Sequence, residues 1–358
     1  MLKKISLIVL CLSLTPSAMA TDLPTEFDAN SKYRLNYSDL NAVLDSSVLN
    51  MGPSTHKRAK KARNSTASRM KIGNSSPSRL EGNRVMFDRF EDAQISFLAN
   101  MRDDLLAIPG QVPIERLTRK EQLSYWFNLH NAIVLAEIAD LYPVTRLAPL
   151  FDEDDPDAFY RQQKFDMSGT MISLKDIQDH VVENWDDPRV IYGFYMGAIG
   201  TPNIQSSVYT ADKVYDQLNE NAIDFVNSVR GTQVWKKKEL RVATYYQRMA
   251  QKFPNFNQDI MAHVKKYSKD DFLNRLGSIE TVSARIEDWN IADLYNGRLG
   301  RSGGSGPGNK TDNLGLQIVS GLPDHVIELL RYRDEKIAKE KREGKVEVEE
   351  YARNDTKN

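Results

Sequence analysis

One cysteine, Cys11, occurs in 358 residues, and it falls within the first twenty. Those residues, MLKKISLIVLCLSLTPSAMA, join a basic start at Lys3 and Lys4 to an apolar run from Ile5 to Leu14, with small residues at Ala18 and Ala20. This is the pattern of a secretory signal peptide cleaved after Ala20, because about ten apolar residues cannot cross ~30 Å of hydrocarbon. Leu10 precedes Cys11 where a lipid-anchoring site needs a small residue, so the expectation is an exported, unanchored chain with the periplasm as its compartment. Cleavage leaves no cysteine. A disulfide, a thiolate nucleophile and a cysteine-ligated metal are thereby excluded, and stability must come from a packed core, which 41 % hydrophobic residues can build.

Other absences narrow the field further. No later run approaches 18 apolar residues, so no transmembrane segment is expected. Losing Lys3 and Lys4 leaves 46 of the 48 bases against 49 acids, a balance that gives no reason to expect nucleic acid as a partner. None of the histidines, His56, His130, His180, His263 and His325, stands at a metal-ligand spacing such as H-x-x-x-H, and no G-x-S-x-G elbow occurs. Neither a metal nor a cofactor is expected. The acidic run FDEDDPDAF, Phe151 to Phe159, lacks the ligand ladder, central glycine and closing glutamate of an EF-hand, and reads as an exposed loop. In GGSGPGNKT the lysine is one residue too far from the glycine for a phosphate loop, and no apolar strand leads in.

What is present is mostly helical periodicity. Thr118 followed by Glu121 forms a capping box, and behind it Leu123, Trp126, Phe127, His130, Ile133, Val134 and Ile138 share one face of a helix that stops at Tyr142-Pro143. KFDMSGTMISL predicts a short β-hairpin turning at Ser168-Gly169, and Ser173 with Asp176 caps a helix to about Asn184. Leu80 to Leu106 suggests one or two helices, and helical spacing returns over 211–229, 240–253, 256–267 and 271–289. The expected fold is α+β, predominantly helical, a single compact domain with a short β-hairpin. Its parts are a signal peptide (1–20), an N-terminal segment (21–79), the domain (80–297), a Gly-rich linker (298–312) and a C-terminal helix with a charged tail (313–358). The basic run HKRAKKAR places Lys57, Arg58, Lys60, Lys61 and Arg63 together, which suits an anionic surface or polymer, although such runs commonly serve as solvated faces.

Taken together, LEGNRVMF (80–87), QLSYWFNLHNAIVLAEIADLYPVTRL, ISLKDIQDHVV with DPRVIYGFYMGAIGTPNI, and EDWNIADLYNG (287–297) resemble the bacterial and plant family catalogued as domain of unknown function 547. The resemblance implies a histidine, an asparagine-cysteine pair and, shortly after, a cysteine-proline pair in the third block. Here Tyr195 takes the asparagine's place, Met196 the first cysteine's, Thr201 the second's and Ile191 the histidine's, while Asp187, Pro188, Arg189 and Val190 are kept. A glutamate-histidine pair of the family falls on Gln178 and Asp179, with His180 one place out of register, and His130 stands where tyrosine is usual.

A thiol mechanism needs a thiolate and a neighbouring base, and Met196 and Ile191 supply neither. The preferred reading is therefore a non-catalytic, pseudoenzyme-like binding or scaffolding module of the cell envelope. Its candidate ligand-binding residues are Asn128, His130, Asn131, Arg189, Thr201 and Asn203. The alternative is a hydrolase or transferase with rewired, non-thiol chemistry, with His130, Asp179, His180 and Thr201 as candidate catalytic groups. The DPRVIYGFYMGAIG run is buried, as helix or as strand, and in a helix Gly193, Gly197 and Gly200 would form one small-residue face.

Overall fold

The structure is a computed structural model and describes residues 23–60, 74–298 and 322–355. The expected signal peptide, the basic run from Lys61 to Arg63 and most of the Gly-rich linker lie outside the described residues.

Helix α1 (Ser38–Ser47) leads into the short strand β1 (Val48–Leu49), which pairs antiparallel with β2 (Arg84–Val85). Helices α2 (Asp92–Gln111) and α3 (Arg119–Leu141) then pack together, followed by the antiparallel hairpin β3 (Phe165–Met167) and β4 (Thr170–Ile172), and by α4 (Leu174–Asn184). After α5 (Val214–Val226) the chain enters a three-stranded sheet through β5 (Thr232–Trp235) and β6 (Glu239–Ala243). It crosses over through α6 (Thr244–Arg248), α7 (Phe256–Tyr267) and α8 (Asp270–Leu273), and returns as β7 (Thr281–Ile286), parallel to β6. Helix α9 (Asp324–Asp355) ends the described chain. The whole is a predominantly helical α+β fold with small sheets.

Helix α3 is the centre of the core. Its 23 residues span ~35 Å, and every residue from Glu121 to Ala136 is buried, which is what a helix packed on all sides requires. The polar residues on it do not face water, so each needs a partner inside. Gln122 donates to the carbonyls of Glu26 and Ile114, Asn128 brackets the backbone of Tyr209, and Asn131 brackets that of Gly193 and Tyr195. These amides pin four separate segments to the helix, at Glu26, at Ile114, at Gly193 with Tyr195, and at Tyr209. The cap is half of the expected box: Thr118 accepts from the Glu121 amide, but the Glu121 carboxylate turns away to accept from the Leu35 amide. In α4 both halves of the Ser173–Asp176 box are made.

Two helical expectations are corrected. Over 240–253 the chain is strand through Ala243 and only then helical, and over 271–289 the helix ends at Leu273 and gives way to β7. Both strands have short apolar runs that suit either state; an antiparallel hairpin with β5 and the distant parallel pairing with β7 make β6 a strand, and the pairing with β6 does the same for β7. DPRVIYGFYMGAIG is also neither helix nor strand throughout. Asp187 caps a 3-10 helix over Pro188–Gly193, and the chain then runs irregularly through the core. Gly193, Gly197 and Gly200 accordingly face different neighbours. A Cβ on Gly193 would lie 2.2 Å from the Phe127 ring, and one on Gly200 would meet the Asp288 backbone at 2.8 Å.

Residues 288–294 stitch this run to the rest. Ala198 bridges Ile291, Arg146 bridges Asn290 and Val85 bridges Asp293. Beside them lies a charged interior. Glu81 accepts from the Ser228 hydroxyl and the Val229 amide, Arg84 donates to the carbonyls of Arg79, Glu81 and Gly82, and Arg230 pairs with Asp224 at 2.6 Å. Helix α9 covers this region with Val326, Leu329 and Tyr332, which join Leu49, Met51, Leu80, Met86 and Leu294 in a second apolar cluster. Arg79 clamps it by donating to both carboxylate oxygens of Glu328.

Candidate functional site

A buried chain of hydrogen bonds joins α3, α4 and the 3-10 segment. The Tyr160 hydroxyl donates to Gln178 Oε1 at 2.8 Å, and Gln178 Nε2 meets His130 Nε2 at 3.0 Å. His130 Nδ1 lies 3.2 Å from Asn131 Oδ1, and Asn131 Nδ2 donates to the Gly193 carbonyl. Because an amide nitrogen can only donate, His130 accepts at Nε2 and carries its proton at Nδ1, so every bond in the chain runs in one direction. Burial pushes the imidazole down to about 4, with the Asn131 bond opposing, which keeps it neutral. A neutral ring with both nitrogens engaged can hold structure, but it has no free lone pair for a substrate proton.

Other expected site residues lie elsewhere. Thr201 is buried and its hydroxyl donates to the Ala198 carbonyl. Asn203 donates to Asp224 and accepts from the Asn83 amide, which places it in the charged interior with Arg230. Arg189 grips Asp187 and lies over the Tyr215 ring. Burial raises the Asp187 carboxyl, but the hydrogen bonds and charge of Arg189 outweigh it and hold the group below its usual value. Asp179 is half-exposed and pairs with Lys175. His180 is wedged between Trp126 and Trp185, its pKa pushed down to about 4 by burial and by Arg119, and its Nε2 has no partner among the described residues. Of the sequence candidates, His130 and Asn131 thus share one network, with Asn128 nearby on the same helix; Thr201 and Asn203, Arg189, and Asp179 and His180 occupy other places.

The outer end of the network was not visible in the sequence. Burial raises the Tyr160 phenol, against the pull of the Arg248 guanidinium. Arg248, at the end of α6, lies over the rings of Tyr160 and Trp289, with centroid distances of 5.0 and 5.6 Å. It donates to the Phe151 carbonyl and pairs with Glu153 of the acidic run. Trp289 belongs to the EDWN block and could have drawn attention, whereas Arg248 stands in no motif.

Among the described residues no group of three or more His, Cys, Asp and Glu side chains is placed to hold a metal ion. No helix among them is long and apolar enough to cross a membrane. Lys57, Arg58 and Lys60 line a surface cavity of about 460 Å³ together with Asp324, Glu328 and Glu335, so acidic groups of α9 face the described part of the basic run.

No curated protein and no solved structure matches the chain. The LEGNRVMF and EDWNIADLYNG blocks fall outside the family match, which opens at the turn before α3 and closes at the end of α5. Over that central stretch, residues 114–226, the chain matches the family described as Protein of unknown function, DUF547.

Proposed function

We propose that the protein is a non-catalytic binding module of the cell envelope, exported with loss of residues 1–20. The observation that carries this reading is the filling of the positions where the resemblance implies a thiol and a base. Met196 and Ile191 are completely buried, and neither has an ionisable proton. Thr201 and His130, the groups left to substitute, have their polar atoms committed inside the fold.

The experiment is a thermal-shift screen of the mature chain against cell-envelope glycans, peptides and small metabolites, since a ligand that binds only the folded state raises its stability. Stabilisation without turnover supports the reading, and turnover abolished by His130→Ala or His180→Ala overturns it. A second reading, a hydrolase or transferase with rewired non-thiol chemistry, draws on the unpartnered Nε2 of His180. It predicts turnover that survives His130→Ala and is lost in His180→Ala.

A further inference from the structure

We propose that Arg248 anchors a carboxylate-binding site that the chain's own Glu153 now covers; the assignment rests on the binding-module reading and names its ligand class. A guanidinium offers five N–H donors, and its most selective feature is the side edge formed by Nε and Nη2, which matches the two oxygens of one carboxylate. In Arg248 the other nitrogen, Nη1, donates to the Phe151 carbonyl at 2.8 Å. Nε and Nη2 are both buried and no acceptor stands in line with either, while the Tyr160 hydroxyl is close enough to interact with the guanidinium. The unused donors are thus the pair that forms the fork.

The cation is held for this task from several sides. Its central carbon lies over the rings of Tyr160 and Trp289, Tyr160 is fixed by its bond to Gln178, and Trp289 stacks on Phe151 at an interplanar angle of 16°. A carboxylate meets a guanidinium in its plane, so the edge is the approach for an anion. Glu153 occupies that approach imperfectly. Its Oε1 lies 3.2 Å from Nε, close enough for charge pairing but out of line for a hydrogen bond, and its side chain is 46 % exposed. The loop that carries it is closed by local turns at Asp152 and Asp155, whose carboxylates accept from the amides two residues on. The Glu153 side chain can therefore swing into water without breaking the core.

A tethered carboxylate competes with any free one at high effective concentration, so the wild-type chain binds weakly and removal of the Glu153 charge uncovers the site. The occupant is a small carboxylate whose attached ring or flat face meets the half-buried Trp289. A planar two-oxygen group fits the fork, and the group already at the site is a carboxylate.

The test is calorimetric titration of the mature chain, its Glu153→Gln variant and the double variant Glu153→Gln/Arg248→Lys with sodium benzoate, sodium glucuronate and inorganic phosphate. Lysine keeps the charge and lacks the fork, and urea unfolding midpoints establish that each variant is folded. The expected result is at least tenfold tighter binding of benzoate or glucuronate to Glu153→Gln, with a change in tryptophan fluorescence, and loss of that gain in the double variant. An affinity unchanged by Glu153→Gln, a gain that survives Arg248→Lys, or an equal gain for phosphate would each overturn the assignment. Envelope ligands that bind regardless of Glu153 and Arg248 would sink this site and leave the binding-module reading standing. Histidine-dependent turnover would sink that reading while leaving the carboxylate titrations to stand or fall separately.

Discussion

Gln178 Nε2 donates to His130 Nε2 across 3.0 Å, and through this bond the middle of α4 is tied to the middle of α3. His130→Ala would leave the Gln178 donor unpaired and open a void beside Phe194, whose ring centroid is 5.0 Å from the imidazole. The expected loss of stability is about 3–5 kcal/mol, the sum of a cavity and an unsatisfied buried group. Urea unfolding measures it, and a loss below about 1 kcal/mol would show that the network carries little.

Acid should unfold the protein through its histidines. Burial pushes His56 down to about 3, and His130, His180 and His263 down to about 4, with nearby cations adding to the effect at His56, His180 and His263. Unfolded histidine binds its proton near pH 6.5, so their contribution is complete above that value and is lost as pH falls toward 4. Asp293 acts in the opposite sense. Burial raises its carboxyl to about 6, so its contribution is present below about pH 4 and disappears as pH rises through 6. Unfolding midpoints between pH 7.5 and 4.5 should therefore fall with acidity, and fall more steeply in Asp293→Asn, where the opposing carboxyl is gone. A flat wild-type profile would contradict the assignment of neutral, buried rings.

Gly193→Ala should be among the most damaging single-methyl substitutions, because the new Cβ would lie 2.2 Å from the fully buried Phe127 ring. About 3 kcal/mol or more of destabilisation is expected, with partial rescue by Phe127→Leu, which clears the ring. Equal destabilisation in the single and double variants would point away from this clash as the cause.

Met196→Cys restores the thiol that the family resemblance implies, but at a position with no exposed surface. The thiol should resist an aromatic disulfide reagent in the native protein and react only at the rate of unfolding. Rapid labelling in buffer would reveal a route to Met196 and reopen the case for a reactive site there.

What could be read from the sequence is what neighbouring residues decide among themselves. Ser173 and Asp176 cap each other within one turn, and Ser168-Gly169 turns a hairpin whose strands flank it directly, so both were legible. β7 was not, because Val282 becomes a strand residue by pairing with Leu240 across a helical crossover. Nor was β6, although it also pairs locally with β5, since its short apolar run suits a helix equally well. The candidate site divides along the same line. His130 drew attention by standing on an apolar helix face. Arg248 gave no local sign, since its Phe151 contact comes from 97 residues away and its aromatic neighbours from other segments.

The stitching of residues 288–294 to Val85, Arg146 and Ala198 has a consequence for the order of events in the cell. A ribosome releases these late residues after the loops they fasten, so a growing chain lacks the piece that locks its earlier parts. Up to that point the loops held through Val85, Arg146 and Ala198 lack these fastenings. Completion then closes several distant loops together, which favours a chain that stays open throughout synthesis and folds in one cooperative step afterwards.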